Sequence, residues 1–176
     1  AKEYVMPYGV TTIGNKAFDR CDNLTSITMP DSVTTIGNKA FDNCDSLTSI
    51  TIPDGVTTIG NNAFAYCSNL TSITIPDGVT TIGNKAFASC DNITSITISD
   101  SVTSIGDDVF NYCGNLTFIN VDSDNKYYAS EDGVLFNKDK SVLVLYPMGK
   151  TAKEYVIPYG VTTIGNNAFR PEERRV

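Results

Sequence analysis

The sequence has no histidine. Without an imidazole, neither a Ser-His nor a Cys-His dyad can be assembled. No C-x-x-C pair occurs either, so a zinc site lacks its usual ligands. No metal, no cofactor and no catalysis are expected. Basic residues are few: 13 against 20 acids, a net charge of −7. That balance disfavours nucleic acid and anionic membrane surfaces as partners. No apolar run in the sequence approaches the ~18 residues of a membrane span, so membrane insertion is not expected. There is no initiator Met and no signal peptide, so the chain reads as a mature form or a fragment, and its compartment cannot be read from a targeting segment.

What is present is repetition. Leu47 to Asn69 reads LTSITIPDGVTTIGNNAFAYCSN, and close copies begin at Leu24, Leu70 and Ile93. Self-similarity at a short fixed period is the mark of a solenoid. Within one unit, Leu47, Ile50 and Ile52 give the alternation of a strand, with Thr51 pointing the other way. Pro53 and Asp54-Gly55 end it. Val56 to Ile59 is a second β-prone run, and Asn61 is placed to cap a short helical turn carrying Ala63 and Phe64. A 23-residue coil cannot cover this apolar set alone, but stacked coils can. The expected fold is a right-handed solenoid with a parallel β-sheet on the Leu-x-x-Ile-x-Ile face and short strands or turns on the other.

Residues 1–115 form five such units. Val10, Val33, Val56, Val79 and Val102 stay in register, as do Phe18, Phe41, Phe64, Phe87 and Phe110. The five cysteines, Cys21, Cys44, Cys67, Cys90 and Cys113, share one position, which reads as a buried file of small hydrophobes. Asp31, Asp54, Asp77 and Asp100 each follow a strand end and are expected to form turns through their side chains; calcium on that acidic file is the alternative. From Leu116 to Thr151 the period breaks. Gly133–Phe136 and Ser141–Tyr146 flank the polar turn Asn137–Lys140, which predicts a β-hairpin in an enlarged coil, opposite the main sheet. Residues 152–169 return to the repeat and match 1–18 except at Ile157 and Asn167. Residues 170–176 are polar and read as a capping tail or as foreign to the native chain. The whole, 1–176, is expected to be a single solenoid domain. No dedicated cap marks either end, so end-to-end association is a risk; the oligomeric state is not legible.

The pattern C-x-x-L-x-x-I-x-I-P-x-x-V-x-x-I-G-x-x-A-F, as in Cys44 to Phe64, resembles the BspA-like (treponemal-type) leucine-rich repeat. Asp132-Gly133-Val134-Leu135-Phe136 with Tyr146-Pro147 is similar to that family's irregular coil. The resemblance implies a curved solenoid used for recognition, on a cell-surface or secreted protein, with adhesion to host extracellular matrix or cell-surface proteins. It carries no catalytic residues.

Identical coils offer identical contacts, so specificity must come from departures from the repeat. The candidate partner-binding residues are Phe118, Asn120, Lys126, Tyr127 and Tyr128 in the enlarged coil, with the irregular aromatics Tyr66 and Tyr112. Tyr127, Phe136 and Tyr146 read equally as core filling for the larger coil. A purely structural spacer is the alternative function. Ice binding is a remote third, through the threonine file Thr28, Thr51, Thr74 and Thr97, and it requires a flat sheet.

Overall fold

The computed structural model describes residues 2–169; the expectation for the 170–176 tail lies outside the described residues. The strands are β1 (Glu3–Val5), β2 (Thr12–Ile13), β3 (Ser26–Thr28), β4 (Thr35–Ile36), β5 (Thr58–Ile59), β6 (Thr81–Ile82), β7 (Ser95–Ile98), β8 (Ser104–Ile105), β9 (Phe118–Val121), β10 (Tyr128–Glu131), β11 (Val134–Asn137), β12 (Val142–Leu145) and β13 (Thr163–Ile164). They stack as the coils of a β-solenoid, and no helix occurs among the described residues.

The one sheet that runs through five coils is β2-β4-β5-β6-β8, built from the Thr-Ile runs in parallel register. Its bonds are short: Thr57 N–H reaches Thr34 O at 2.9 Å and Gly60 N–H reaches Ile36 O at 2.8 Å. Among the described residues, the Leu-x-x-Ile-x-Ile face, expected to hold the main sheet, is paired only as β1–β3 and β7–β9, with a single bridge between Ser49 and Ser72 in the middle. Bonds there lengthen to 3.3 Å (Thr48 N–H to Thr25 O) and 3.2 Å (Thr71 N–H to Thr48 O). Proline explains part of this. Pro30, Pro53 and Pro76 end these strands with no N–H to donate. Where Asp122 stands at that position, its N–H reaches Ile98 O at 2.9 Å and the four-residue pair β7–β9 forms.

The third face is made of tight turns instead of the expected helical turn. Asn61 is not an N-cap: its side-chain oxygen accepts the N–H of Asn84 in the next coil at 2.8 Å, one step of a ladder through Asn15, Asn38, Asn61, Asn84 and the Asp107 N–H. Each of the five regular coils has two left-handed residues here, such as Lys39 and Asn43, at φ 57° and 58°. They aim the N–H groups of Lys39, Phe41 and Asn43 at the carbonyls of Asn61, Ala63 and Ala65, at 2.8, 2.7 and 2.9 Å. A helix would close these bonds within the coil; the solenoid closes them between coils. The Asp54-type turns are likewise held by main chain, Val56 N–H to Pro53 O at 3.0 Å.

Inside the stack, Phe18, Phe41, Phe64, Phe87 and Phe110 form a stacked file with centroids 5.2, 5.2, 5.4 and 5.8 Å apart. Cys44, Cys67, Cys90 and Cys113 are buried, and each thiol donates to the phenylalanine carbonyl of the preceding coil, at 3.1–3.2 Å. Burial pushes the Cys44 and Cys113 thiols up to about 12, and Cys67 and Cys90 well above the usual range. Cys21, in the first coil, is only half-buried.

The hairpin of the enlarged coil is present as antiparallel β11–β12, with a register irregularity between Leu135 and Phe136. Asp132 and Gly133, both at positive φ (50° and 77°), make a two-residue turn that adds β10 on the other side. β12 pairs in parallel with β13 of the returning repeat. The meander therefore stands on the Thr-Ile side, between β8 and β13.

Candidate partner-binding surface

Strand β9 alternates: Phe118 and Asn120 face outward, Ile119 and Val121 are buried. The far edge of β9 is covered by the enlarged coil, with Ile119 N–H on Gly133 O at 3.0 Å and Val121 N–H on the Ser130 hydroxyl at 2.9 Å. The Phe118 ring lies against the Asp132-Gly133 turn. A Cβ on Gly133 would meet Phe118 Cδ2 at 2.7 Å, and its φ of 77° also favours glycine. Phe118 nevertheless keeps 46% of its surface exposed.

Asn125 organises the segment that follows. It is fully buried, and its amide donates to Ser99 O and Val102 O at 2.8 and 2.9 Å. Its oxygen accepts the N–H groups of Tyr127 and Tyr128, both at 2.8 Å. Consecutive residues must then diverge. Tyr127 turns out, 53% exposed. Tyr128 turns in against the core, and its hydroxyl oxygen accepts the Ile105 N–H at 2.9 Å, closing the Thr-Ile sheet after β8. Lys126 is exposed beside them. Phe136 is fully buried, and Tyr146 is half-buried, stacked on Phe169 at 5.2 Å.

Tyr66 and Tyr112 lie on the turn face, apart from this group, 50% and 43% exposed. Both sit in the left-handed region, φ 60° and 58°. The ladder imposes that conformation, since Tyr66 N–H must reach Ala88 O at 2.8 Å, as Arg20, Asn43 and Ser89 do at the same register.

Two contributors were not singled out from sequence. Asn125 carries no periodic signal, because its coil occurs once. The Asp132-Gly133 turn was legible as an Asp-Gly dipeptide before a β-prone run. Among the described residues, no three acids or cysteines converge where a metal ion could sit.

Residues 2–131 match the BspA type leucine rich repeat region in six copies. The chain belongs to the BspA-type leucine-rich repeat family. Among solved structures, the pneumococcal vaccine antigen PcpA superposes with a TM-score of 0.80 at 25% identity, covering 96% of this chain and 52% of that one. A leucine-rich repeat protein from Eubacterium ventriosum gives 0.72 at 30% identity, over 94% and 50%. The Treponema pallidum leucine rich repeat protein TpLRR gives 0.69 at 26%, over 97% and 71%. The chain spans about half the length of the first two. No curated protein matches it. In this BspA-type chain the repeated residues build the stack, and the exposed aromatic departures from the repeat are Tyr4 and Tyr8 in the first coil, Tyr66 and Tyr112 on the turn face, Phe118 and Tyr127 on the enlarged coil, and Tyr159 in the returning repeat.

Proposed function

We propose that this BspA-type chain is a non-enzymatic recognition or adhesion module of a cell-surface or secreted protein, and that it docks a host matrix or cell-surface protein on the enlarged coil. The observation that carries the reading is the outward pair Phe118 and Tyr127, about half exposed on the one coil whose surface no other coil repeats. Exposed aromatics on a rigid backbone are effective interface anchors. Asn120 and Lys126 supply polar contacts around them. Two relatives support the setting: PcpA is named a vaccine antigen, and a Faecalibacterium prausnitzii neighbour with a TM-score of 0.50 is named a leucine rich cell surface protein.

The test is binding to a panel of extracellular matrix and cell-surface proteins, beside a Phe118→Ser/Tyr127→Ala variant. Tyr128 is left intact because its hydroxyl completes the fold. Loss of two anchors of ~2 kcal/mol or more in total weakens a genuine partner by about 30-fold. Equal binding by the variant would remove the site from this coil. No binding across the panel would favour the spacer.

A further inference from the structure

The enlarged coil differs from every regular coil in one further respect: its turn is too short. Gly165 N–H on Leu143 O (2.8 Å) corresponds to Gly60 N–H on Ile36 O, and Tyr146 N–H on Ala168 O (2.9 Å) corresponds to Phe41 N–H on Ala63 O. Four residues separate Ile36 from Phe41; only two, Val144 and Leu145, separate Leu143 from Tyr146. The coil therefore lacks the Lys-Ala part of the turn, and a cavity of about 160 Å³ lies at that place between the fifth coil and the returning repeat.

The gap frees hydrogen-bond donors from both sides. In regular coils, the N–H at the Lys39 position reaches the next coil and the N–H at the Asn61 position reaches the preceding Asn side chain. Asp108 and Asn166 hold those two positions here, and among the described residues neither N–H has an acceptor. Leu145 stands where the accepting Asn would be. The cavity floor is aliphatic, made by Val109, Leu135 and Val144, the buried Asn111 lines its wall, and its rim carries Asp107. Asn167 crosses the rim to Asp108, 2.8 Å between amide and carboxylate. Val144 also occupies the register of Gly106, where a Cβ would strike the preceding coil at 2.4 Å; the seam is wide enough to hold a branched side chain.

The occupant must offer a carbonyl-type acceptor to the freed N–H groups, a donor to the Asp107 carboxylate, and a small apolar group to the floor. An anion is opposed by Asp107 and Asp108, and a bare cation leaves the N–H groups unmet. A secondary amide with a methyl group meets all three demands. We infer that the seam between the fifth coil and the returning repeat binds the acetamido group of an N-acetylated amino sugar. Its size is below the ~300 Å³ of pockets that enclose drug-sized ligands, so one sugar substituent enters while the ring stays at the rim. There Asn166 and Asn167 offer amides to ring hydroxyls, and Tyr112 flanks the continuing cleft. This site is separate from Phe118 and Tyr127, so the two readings stand or fall independently.

Ligand-observed NMR and calorimetry on the whole chain test it, with N-acetylglucosamine, glucosamine, glucose and N-acetyl-lysine methylamide as probes. The expected result is saturable binding of N-acetylglucosamine, none of glucosamine or glucose, and a loss of about tenfold or more in Val144→Leu, which fills the floor. Asp107→Ala, an exposed change, should weaken binding as well; unchanged urea midpoints confirm that both variants fold. Binding of N-acetyl-lysine methylamide as tight as that of the sugar overturns the sugar assignment. Equal binding of glucosamine, no binding of any probe, or full binding by both folded variants overturns the site.

Discussion

Phe64 offers the sharpest test of the stack. It is fully buried, with Phe41 and Phe87 stacked on either side at 5.2 and 5.4 Å. Phe64→Ala removes the ring from water exclusion and leaves a cavity between rigid coils, a cost of ~3–5 kcal/mol. Two aromatic contacts, ~0.5–1.5 kcal/mol each, are part of that sum. Against a total stability of ~5–15 kcal/mol, the loss is large. With a urea slope of ~2 kcal/mol per molar, the midpoint should fall by about 2 M. Phe18→Ala is the internal control: Phe18 is half-buried in the first coil, so its loss should cost about half as much on burial alone. Because coils contact only neighbours, Phe64→Ala also weakens the coupling of the two halves, and a second unfolding phase is expected. A loss below ~1 kcal/mol at Phe64, or a larger loss at Phe18, would refute the packing argument.

Four further outcomes are expected. In a native thiol assay only the half-buried Cys21 should react quickly, the other four after unfolding; fast reaction of all five would contradict their burial. The same thiols make stability pH-dependent: their folded values lie above the unfolded one, so their contribution is complete below about pH 8.5 and is lost as the pH rises toward the values of about 12 at Cys44 and Cys113. A urea midpoint that is flat or rising between pH 9 and 11 would rule this out. Asn125→Ala leaves the N–H groups of Tyr127 and Tyr128 and the Val102 carbonyl unpaired, and leaves Ser99 O only the Val102 N–H at 3.4 Å; it should cost about 2–4 kcal/mol, measured by chemical denaturation, and a loss within error would show that the segment does not depend on it. Asp42 is buried with one oxygen unpartnered, burial raising its carboxyl while Lys39 at 3.6 Å opposes the shift. Ala65 and Ala88 hold its register in the next coils, so Asp42→Ala should stabilise by about 1 kcal/mol at pH 7. The gain should vanish below about pH 4, where the unfolded carboxyl is protonated too; a gain that persists there would exclude charge burial as its cause.

The period of 23 made the core legible, because Val56, Ile59, Phe64 and Cys67 each recur in register and each is buried. Which face would carry the continuous sheet was not legible from apolar alternation, since Ile50-Thr51-Ile52 alternates and Val56-Thr57-Thr58-Ile59 does not, yet the latter carries it. The missing N–H of Pro53 and its equivalents was the available signal. The role of Asn61 was misread because an Asn before a short apolar pair satisfies the rule for a helix start as well as that for a ladder between coils. Lys39 and Tyr66 take left-handed conformations that their side chains do not favour, so only the stack dictates them. On the enlarged coil, neighbouring tyrosines differ in fate through the Asn125 bonds, which no local pattern encodes.

Near-identical coils create an alignment problem during folding. A chain that skips or slips one coil would still pair Thr with Thr and stack Phe on Phe, at almost no loss in contact energy. Such errors are deep kinetic traps in proteins with repeated sequence. Asn125 breaks the degeneracy. Its amide holds the Ser99 and Val102 carbonyls of the coil before it, and Tyr128 meets the Ile105 N–H at the last strand of the Thr-Ile sheet. These contacts come from a segment that occurs once in the chain. The enlarged coil is thus an index mark from which the order of all the other coils can be counted.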